Sequence, residues 1–286
     1  MGTISKLAAA ALALSLMLAG APAAQAQTAV SAELQNSDII IDYVDPRNPR
    51  YQPILDRLKQ QMFLERLQQF LSPLRLPHKL RIRVRQCNGN GAPDAFYAPL
   101  EWTVNVCYEL IAFIEETAPQ QDTAEFKAKR VVAGALIGAV MHEIGHALFD
   151  ILQVPVLGRE EDGADQIASF IALQLDEEVA LTVVQGFAYL HLKFAELSGG
   201  DANDRRMFAD EHGTSEQRFF NLLCIAYGGK PTVFSGFARP ELLPPARAAG
   251  CRAEYEQIAS AFAKTIYPHI DQGMMLKVQS VSWLAE

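Results

Sequence analysis

What this 286-residue chain has little of narrows its reading before any motif is considered. It has four cysteines and no CxxC spacing, which argues against a cysteine-built metal centre. It has no basic run, and 25 Lys and Arg against 33 Asp and Glu leave a net charge of −8, which argues against nucleic acid as a partner. Low-complexity linkers and obvious repeats are missing, while half of all residues are apolar, so one domain is expected over residues 27–286. Beyond the amino-terminal stretch no segment reads as a membrane span: even the apolar run at residues 131–150 carries two His, a Glu and an Asp. Histidine is scarce, six in all, so the placing of each carries information.

The amino-terminal stretch itself reads as a secretory leader, residues 1–26. Lys6 supplies the positive start, residues 7–18 form an apolar core too short for a bilayer, and Ala24-Gln25-Ala26 fits a small-x-small cleavage site. No stable membrane insertion is expected after its removal, and no Cys stands at the cleavage point to carry a lipid. An exported chain, periplasmic or secreted, meets oxidising conditions, so its four cysteines are expected in disulfides. Of three connectivities, the sequential pairs Cys87–Cys107 and Cys224–Cys251 each close a short loop, worth roughly 3 kcal/mol apiece on chain-entropy grounds.

The chain is organised around residues 131–150, VVAGALIGAVMHEIGHALFD. On a helix, positions i and i+4 share a face, so His142 and His146 point the same way, at a spacing that lets two imidazoles share one zinc ion. Glu143 lies roughly 100° around the helix from His142, beside such an ion, where it can hold and deprotonate a water. Burying three ionisable groups on an apolar helix is costly unless something compensates, and a metal would. The pattern is that of a zinc-dependent hydrolase with one Zn2+ per chain.

Two His do not complete a catalytic zinc site, which normally has three protein ligands and an open fourth position. Pro155 and Gly158 end the helix, and the apolar spacing from Asp162 onward is helical again, so a second helix is expected to fold back on the first. Glu161 is the favoured third ligand, with Asp165 one turn later placed to orient a ligand His and the small Ala164 permitting close approach; Glu160 and Asp162 stay open as alternatives. Asp150, one turn beyond His146, reads equally as a partner of the site or as a polar helix end. His191 sits among Tyr189, Leu190 and Leu192 and reads as structural; His78 and His269, each beside a Pro, give no reason to expect metal.

Elsewhere, strands are expected at residues 38–44, 79–85 and 101–107, the last closing a stapled hairpin with residues 87–107. One amphipathic helix is expected over residues 53–71, with others at 108–117, 176–197, 215–227 and 253–266. Residues 231–245 read as irregular, and residues 271–286 give no assignment. Phe96, Tyr97 and the strand at residues 102–106 are candidates for pairing with an extended substrate.

HEIGH followed by EDGAD resembles the gluzincin metallopeptidases, whose pattern is HExxH and then ExxAD on the next helix. The match falls on His142, Glu143, His146, Glu161, Ala164 and Asp165. The longer metzincin pattern wants Gly and His where this chain has Phe149 and Leu152. The C-N-G segment at Cys87, HEIGHALFD and DEHGTSEQRFFNLLCIAYG are also similar to a family of exported bacterial proteins labelled metallopeptidases and otherwise of unknown function. The gluzincin resemblance implies an α+β, mostly helical zincin-like domain with a small antiparallel sheet and a two-helix metal site. It implies a peptide or protein substrate, Glu143 as general base, and a His or Tyr stabilising the oxyanion, for which His212 or Arg218 is available. The reading from a different class is an exported zinc-binding scaffold without catalysis. A non-peptide amide substrate shares the same chemistry, and oligomeric state has no signal in the sequence.

Overall fold

Alternation of apolar and charged residues in LRIRVR makes a strand that buries Leu80, Ile82 and Val84 and leaves Arg81, Arg83 and Arg85 half-buried. In the computed structural model this strand is β2 (Leu80–Arg85), with β1 (Ile39–Tyr43), β3 (Ala95–Ala98) and β4 (Thr103–Cys107) around it. The structure describes residues 36, 38–122, 126, 128–198, 208–281 and 283, apart from the side chain of Lys129. The proposed leader lies outside them. All belong to one unit, Leu34–Glu286.

The sheet corrects the expected one. Its order is β1-β2-β4-β3, and it is mixed: β1, β2 and β4 run parallel, and only β3 is antiparallel, to β4. The antiparallel sheet is what the resemblance implies; alternation within the strands reports which face each buries and says nothing of its direction, so the sequence could not correct it. Asp42 and Arg83 face each other across β1 and β2, their Oδ2 and Nε 2.8 Å apart.

Nine helices of eight residues or more surround the sheet among the described residues: α1 (Gln52–Gln60), α2 (Phe63–Phe70), α3 (Tyr108–Thr117), α4 (Ala128–Ile151), α5 (Glu160–Leu173), α6 (Glu177–Ser198), α7 (Ser215–Gly229), α8 (Pro245–Thr265) and α9 (Gln272–Gln279). The single helix expected over residues 53–71 is two, because Met62 takes a left-handed φ of 51° between them. No Gly or Pro marks that break, so periodicity ran across it. Helix α8 starts eight residues earlier than expected, with Pro245 in its first turn, where a missing N–H costs nothing. The unassigned tail holds α9, capped by Asp271, whose side chain accepts from the Met274 N–H at 2.9 Å.

Both disulfides form in the sequential pairing, Cys87–Cys107 and Cys224–Cys251, consistent with an exported protein. Glu109, 1% exposed, braces the first of them, its carboxylate accepting from the backbone N–H groups of Cys87 at 3.2 Å and Asn88 at 3.1 Å.

Helix α4 is long and apolar enough to cross a bilayer, yet most of it is buried inside the fold. It packs on the sheet and on α5 and α6. Glycine sets those contacts: a Cβ on Gly145 would stand 2.9 Å from Ala164 Cα, in α5. Alanine there would gain up to about 1 kcal/mol of helix propensity but force the two backbones apart, at about 1–3 kcal/mol. With a Cβ 2.9 Å from backbone the strain falls in the upper part of that range, so Gly145→Ala is expected to lower stability by a net of about 1–2 kcal/mol, read from the urea midpoint. An unchanged or raised midpoint would show that the helices are less closely packed than described.

Candidate metal centre

Helix α4 carries His142 and His146 one turn apart, and the approach at Gly145 lays the acidic first turn of α5 against them. Glu160, Glu161 and Asp162 stand at that helix start, where the macrodipole favours negative charge. The result is a knot of nitrogens and oxygens. His142 Nε2 lies 3.2 Å from His146 Nε2 and 3.0 Å from Glu161 Oε2. His146 Nε2 lies 3.3 Å from Glu161 Oε1.

The other nitrogen of each ring is engaged by a carboxylate. His142 Nδ1 meets Asp165 Oδ1 at 2.8 Å, and His146 Nδ1 meets Glu160 Oε1 at 2.8 Å. An Nδ1–H donated to a carboxylate leaves the Nε2 lone pair directed at the centre. Glu160, an open alternative for the third ligand, thus reaches the back of His146. Glu161 faces the centre.

A third imidazole enters from the loop before α7. His212 Nε2 lies 2.8 Å from Glu161 Oε2, and its Nδ1 lies 3.1 Å from Asp210 Oδ1, which also accepts the His212 backbone N–H at 2.9 Å. A capping box between Thr214 and Gln217 fixes the helix start just beyond. Donor atoms of His142, Glu161 and His212 fall within 4.8 Å of one another. Cys87, Cys107 and Glu109 do the same, but the two sulfurs are bonded to each other and offer no thiolate.

Arg218 corrects an expectation. It stands as a possible oxyanion partner in the sequence, but its Nε and Nη2 are fastened to Asp165 Oδ2 and Oδ1 at 2.7 and 2.8 Å, and the side chain is 12% exposed. It holds Asp165, which in turn holds His142. Residues 165 and 218 are 53 apart in sequence, so no local pattern could have shown the pairing.

Asp150 also does something other than support a ligand: its Oδ2 accepts from the Tyr97 hydroxyl at 2.8 Å. That bond ties edge strand β3 to helix α4. Strand β4, a substrate-pairing candidate, lies between β2 and β3 with both sides paired, so of the two candidate strands β3 is the one at an edge of the sheet among the described residues. The Cys107 N–H donates to Asp94 O at 3.2 Å, so by antiparallel alternation Phe96 and Ala98 bond inward. Ala95 and Tyr97 direct their N–H and C=O groups outward, where the Tyr97 N–H meets the Glu143 carboxylate.

The electrostatics follow from burial and crowding. Burial disfavours a charged His142, but Asp165 and Glu161 outweigh it and raise its pKa to about 9. Burial likewise works to raise Glu161 and Asp165. The three imidazoles overcome it for Glu161, and Arg218 together with His142 for Asp165, so both carboxyls lie well below the usual range. Glu143 goes the other way: buried, 8% exposed, it is pushed up, with the charges of His142 and His146 and the Tyr97 backbone amide opposing. His212 is raised by Glu161 first.

His191 is 1% exposed and, among the described residues, has no hydrogen-bond partner at either ring nitrogen. Burial, foremost, and then the charge of Arg218 hold its pKa at about 3, so it packs as a neutral ring against Phe187, centroids 4.6 Å apart. His78 stacks on Trp102 with centroids 4.0 Å apart.

With this geometry in view, a family model described as "Putative metallopeptidase" matches residues 43–266. The chain belongs to that family. The metallopeptidase match spans every member of the cluster, from Tyr97 to Arg218. No curated protein and no solved structure matches the chain.

The Arg218–Asp165 pair gives a quantitative expectation for this member of the metallopeptidase family. Arg218→Met leaves Asp165 buried without its cation, which costs about 3–5 kcal/mol for a pair of this kind. Urea denaturation measures it. A loss under about 1 kcal/mol would mean that Asp165 is solvated and the pair is not buried in solution.

Proposed function

We propose that this chain is an exported zinc-dependent peptidase of the gluzincin type. His142, His146 and Glu161 hold the ion, Glu143 is the general base and His212 stabilises the oxyanion. The observation that carries this is the unsatisfied centre of the cluster. Glu161 Oε2 is buried without a properly aligned hydrogen bond although two imidazole nitrogens crowd it at 3.0 and 2.8 Å. Two Nε2 atoms face each other at 3.2 Å. Acceptors packed this closely call for a cation between them. Two imidazoles and one carboxylate are a donor set suited to catalytic zinc, and each imidazole carries the carboxylate support that such ligands need. Family membership supports the same reading at the level of a metallopeptidase.

When bound, the ion supplies Lewis acidity, polarising a carbonyl and making water acidic enough to lose a proton near neutral pH. The chain's own residues do the rest. Glu143, raised by burial, takes the proton from the attacking water and returns it to the leaving amine; a carboxyl shifted toward neutrality is better matched to both halves of that task. His212, its Nδ1–H held by Asp210 and its pKa raised by Glu161 first, acts as the doubly protonated ring and donates its Nε2–H to the developing oxyanion. The outward groups of Ala95 and the Tyr97 carbonyl pair with an extended peptide, laying its backbone along the edge of the cleft, while the Tyr97 N–H stays on the Glu143 carboxylate. Export fits the two disulfides and the leader expected at residues 1–26.

One observation favours a second reading: His212 stands close enough to His142 and Glu161 to serve as a fourth ligand and close the site. A closed tetrahedral centre is structural, not catalytic. Two variants separate the readings, with bound zinc and cleavage of a denatured, fluorophore-labelled protein as readouts. Glu143→Gln is expected to keep one zinc per chain and abolish cleavage, while His212→Ala keeps zinc and loses about 10²–10³ in kcat. Loss of zinc in His212→Ala, with no cleavage by the wild type, would establish the closed scaffold. Full activity in Glu143→Gln would remove that residue from the mechanism.

A further inference from the structure

The interior bordered by α2, α3, α4, α5 and α6 is not continuous. Ala172, Val179 and Val183 form a buried cluster separate from the main core, and Ile137 touches both. Along that seam runs a pocket of about 510 Å³, lined from five helices by Leu67, Ile114, Leu136, Met141, Ile171 and Val183. None of these belongs to the imidazole cluster. Protein interiors have few voids larger than a water, and an apolar space gives water too few partners to settle. The volume lies in the ~300–1,000 Å³ range of small-molecule sites.

The rim differs from the floor. Arg57, Gln61 and Arg66 border the pocket together with Trp283. Arg57 is paired with Glu115. Arg66 donates to the Trp283 carbonyl at 3.4 Å, and among the described residues it meets no carboxylate. Trp283 leans edge-on against Phe70, centroids 5.6 Å apart.

We propose that this pocket binds a single-chain anionic amphiphile, a long-chain fatty acid in chemical class. The acyl chain fills the seam between α4, α5 and α6, and the carboxylate meets the Arg66 guanidinium, which offers paired N–H donors. The site is independent of the proposed peptidase centre and does not rest on it.

The chain contains two tryptophans, and Trp102 lies stacked on His78. In a Trp102→Phe protein, Trp283 is therefore the sole tryptophan donor to cis-parinaric acid, a fluorescent long-chain carboxylate. Saturable energy transfer at one probe per chain is expected, displaced by hexadecanoate and at least tenfold less well by hexadecanol. Ile137→Phe and Val183→Phe, which fill the pocket, are each expected to weaken probe binding at least tenfold while keeping a cooperative thermal transition. If one fails to fold, the other decides. Arg66→Ala is expected to bring hexadecanoate down to the level of hexadecanol. Absence of saturable transfer, or undiminished binding by a folded pocket-filling variant, would overturn the site. Equal competition by the alcohol would overturn the anionic head. Displacement by phosphatidylglycerol vesicles but not by hexadecanoate would overturn the single chain.

Discussion

The contact between α4 and α5 at Gly145 and Ala164 governs everything at the candidate centre. A side chain on residue 145 would stand 2.9 Å from the Ala164 backbone, so the helices meet at a distance only glycine allows. At that separation, Glu160, Glu161 and Asp165 come within bonding range of two imidazoles on the facing helix. A turn of extra distance would leave the same residues as solvated charges. Their pKa shifts follow from the contact too: His142 rises to about 9 because Asp165 and Glu161 overcome its burial.

Around that contact the fold supplies a chain of supports. Asp165 orients His142, and Arg218 from α7 holds Asp165 by two bonds. Asp210 orients His212 from the loop before α7. Asp150, one turn beyond His146 at the same end of α4, holds Tyr97 and with it the β3 edge of the sheet. Three separate stretches of sequence, near residues 97, 142–165 and 210–218, therefore meet at one place, and all lie within the span that the metallopeptidase family model matches.

Most of the central cluster was legible in the sequence because its parts obey short-range rules. His142 and His146 declare themselves by helical spacing, and Glu161 and Asp165 by their position at the start of the next helix. The cysteine pairs followed from loop length. What escaped reading depends on long-range packing. The pairing of Arg218 with Asp165, the bond from Tyr97 to Asp150 and the parallel course of β1, β2 and β4 join segments whose sequences carry no mark of each other. The break at Met62 escaped for a local reason: an unbranched residue adopted a left-handed conformation with no Gly or Pro to announce it.

The central claim is that His142, His146 and Glu161 hold one metal ion with a position left open for reaction. Anomalous diffraction at the zinc edge, on crystals grown with zinc, tests it most directly. The account predicts a single peak per chain bonded by the two Nε2 atoms and a Glu161 oxygen, with His212 near but unbonded. A centre without a peak would contradict it, and so would a peak closed by His212 as a fourth protein ligand.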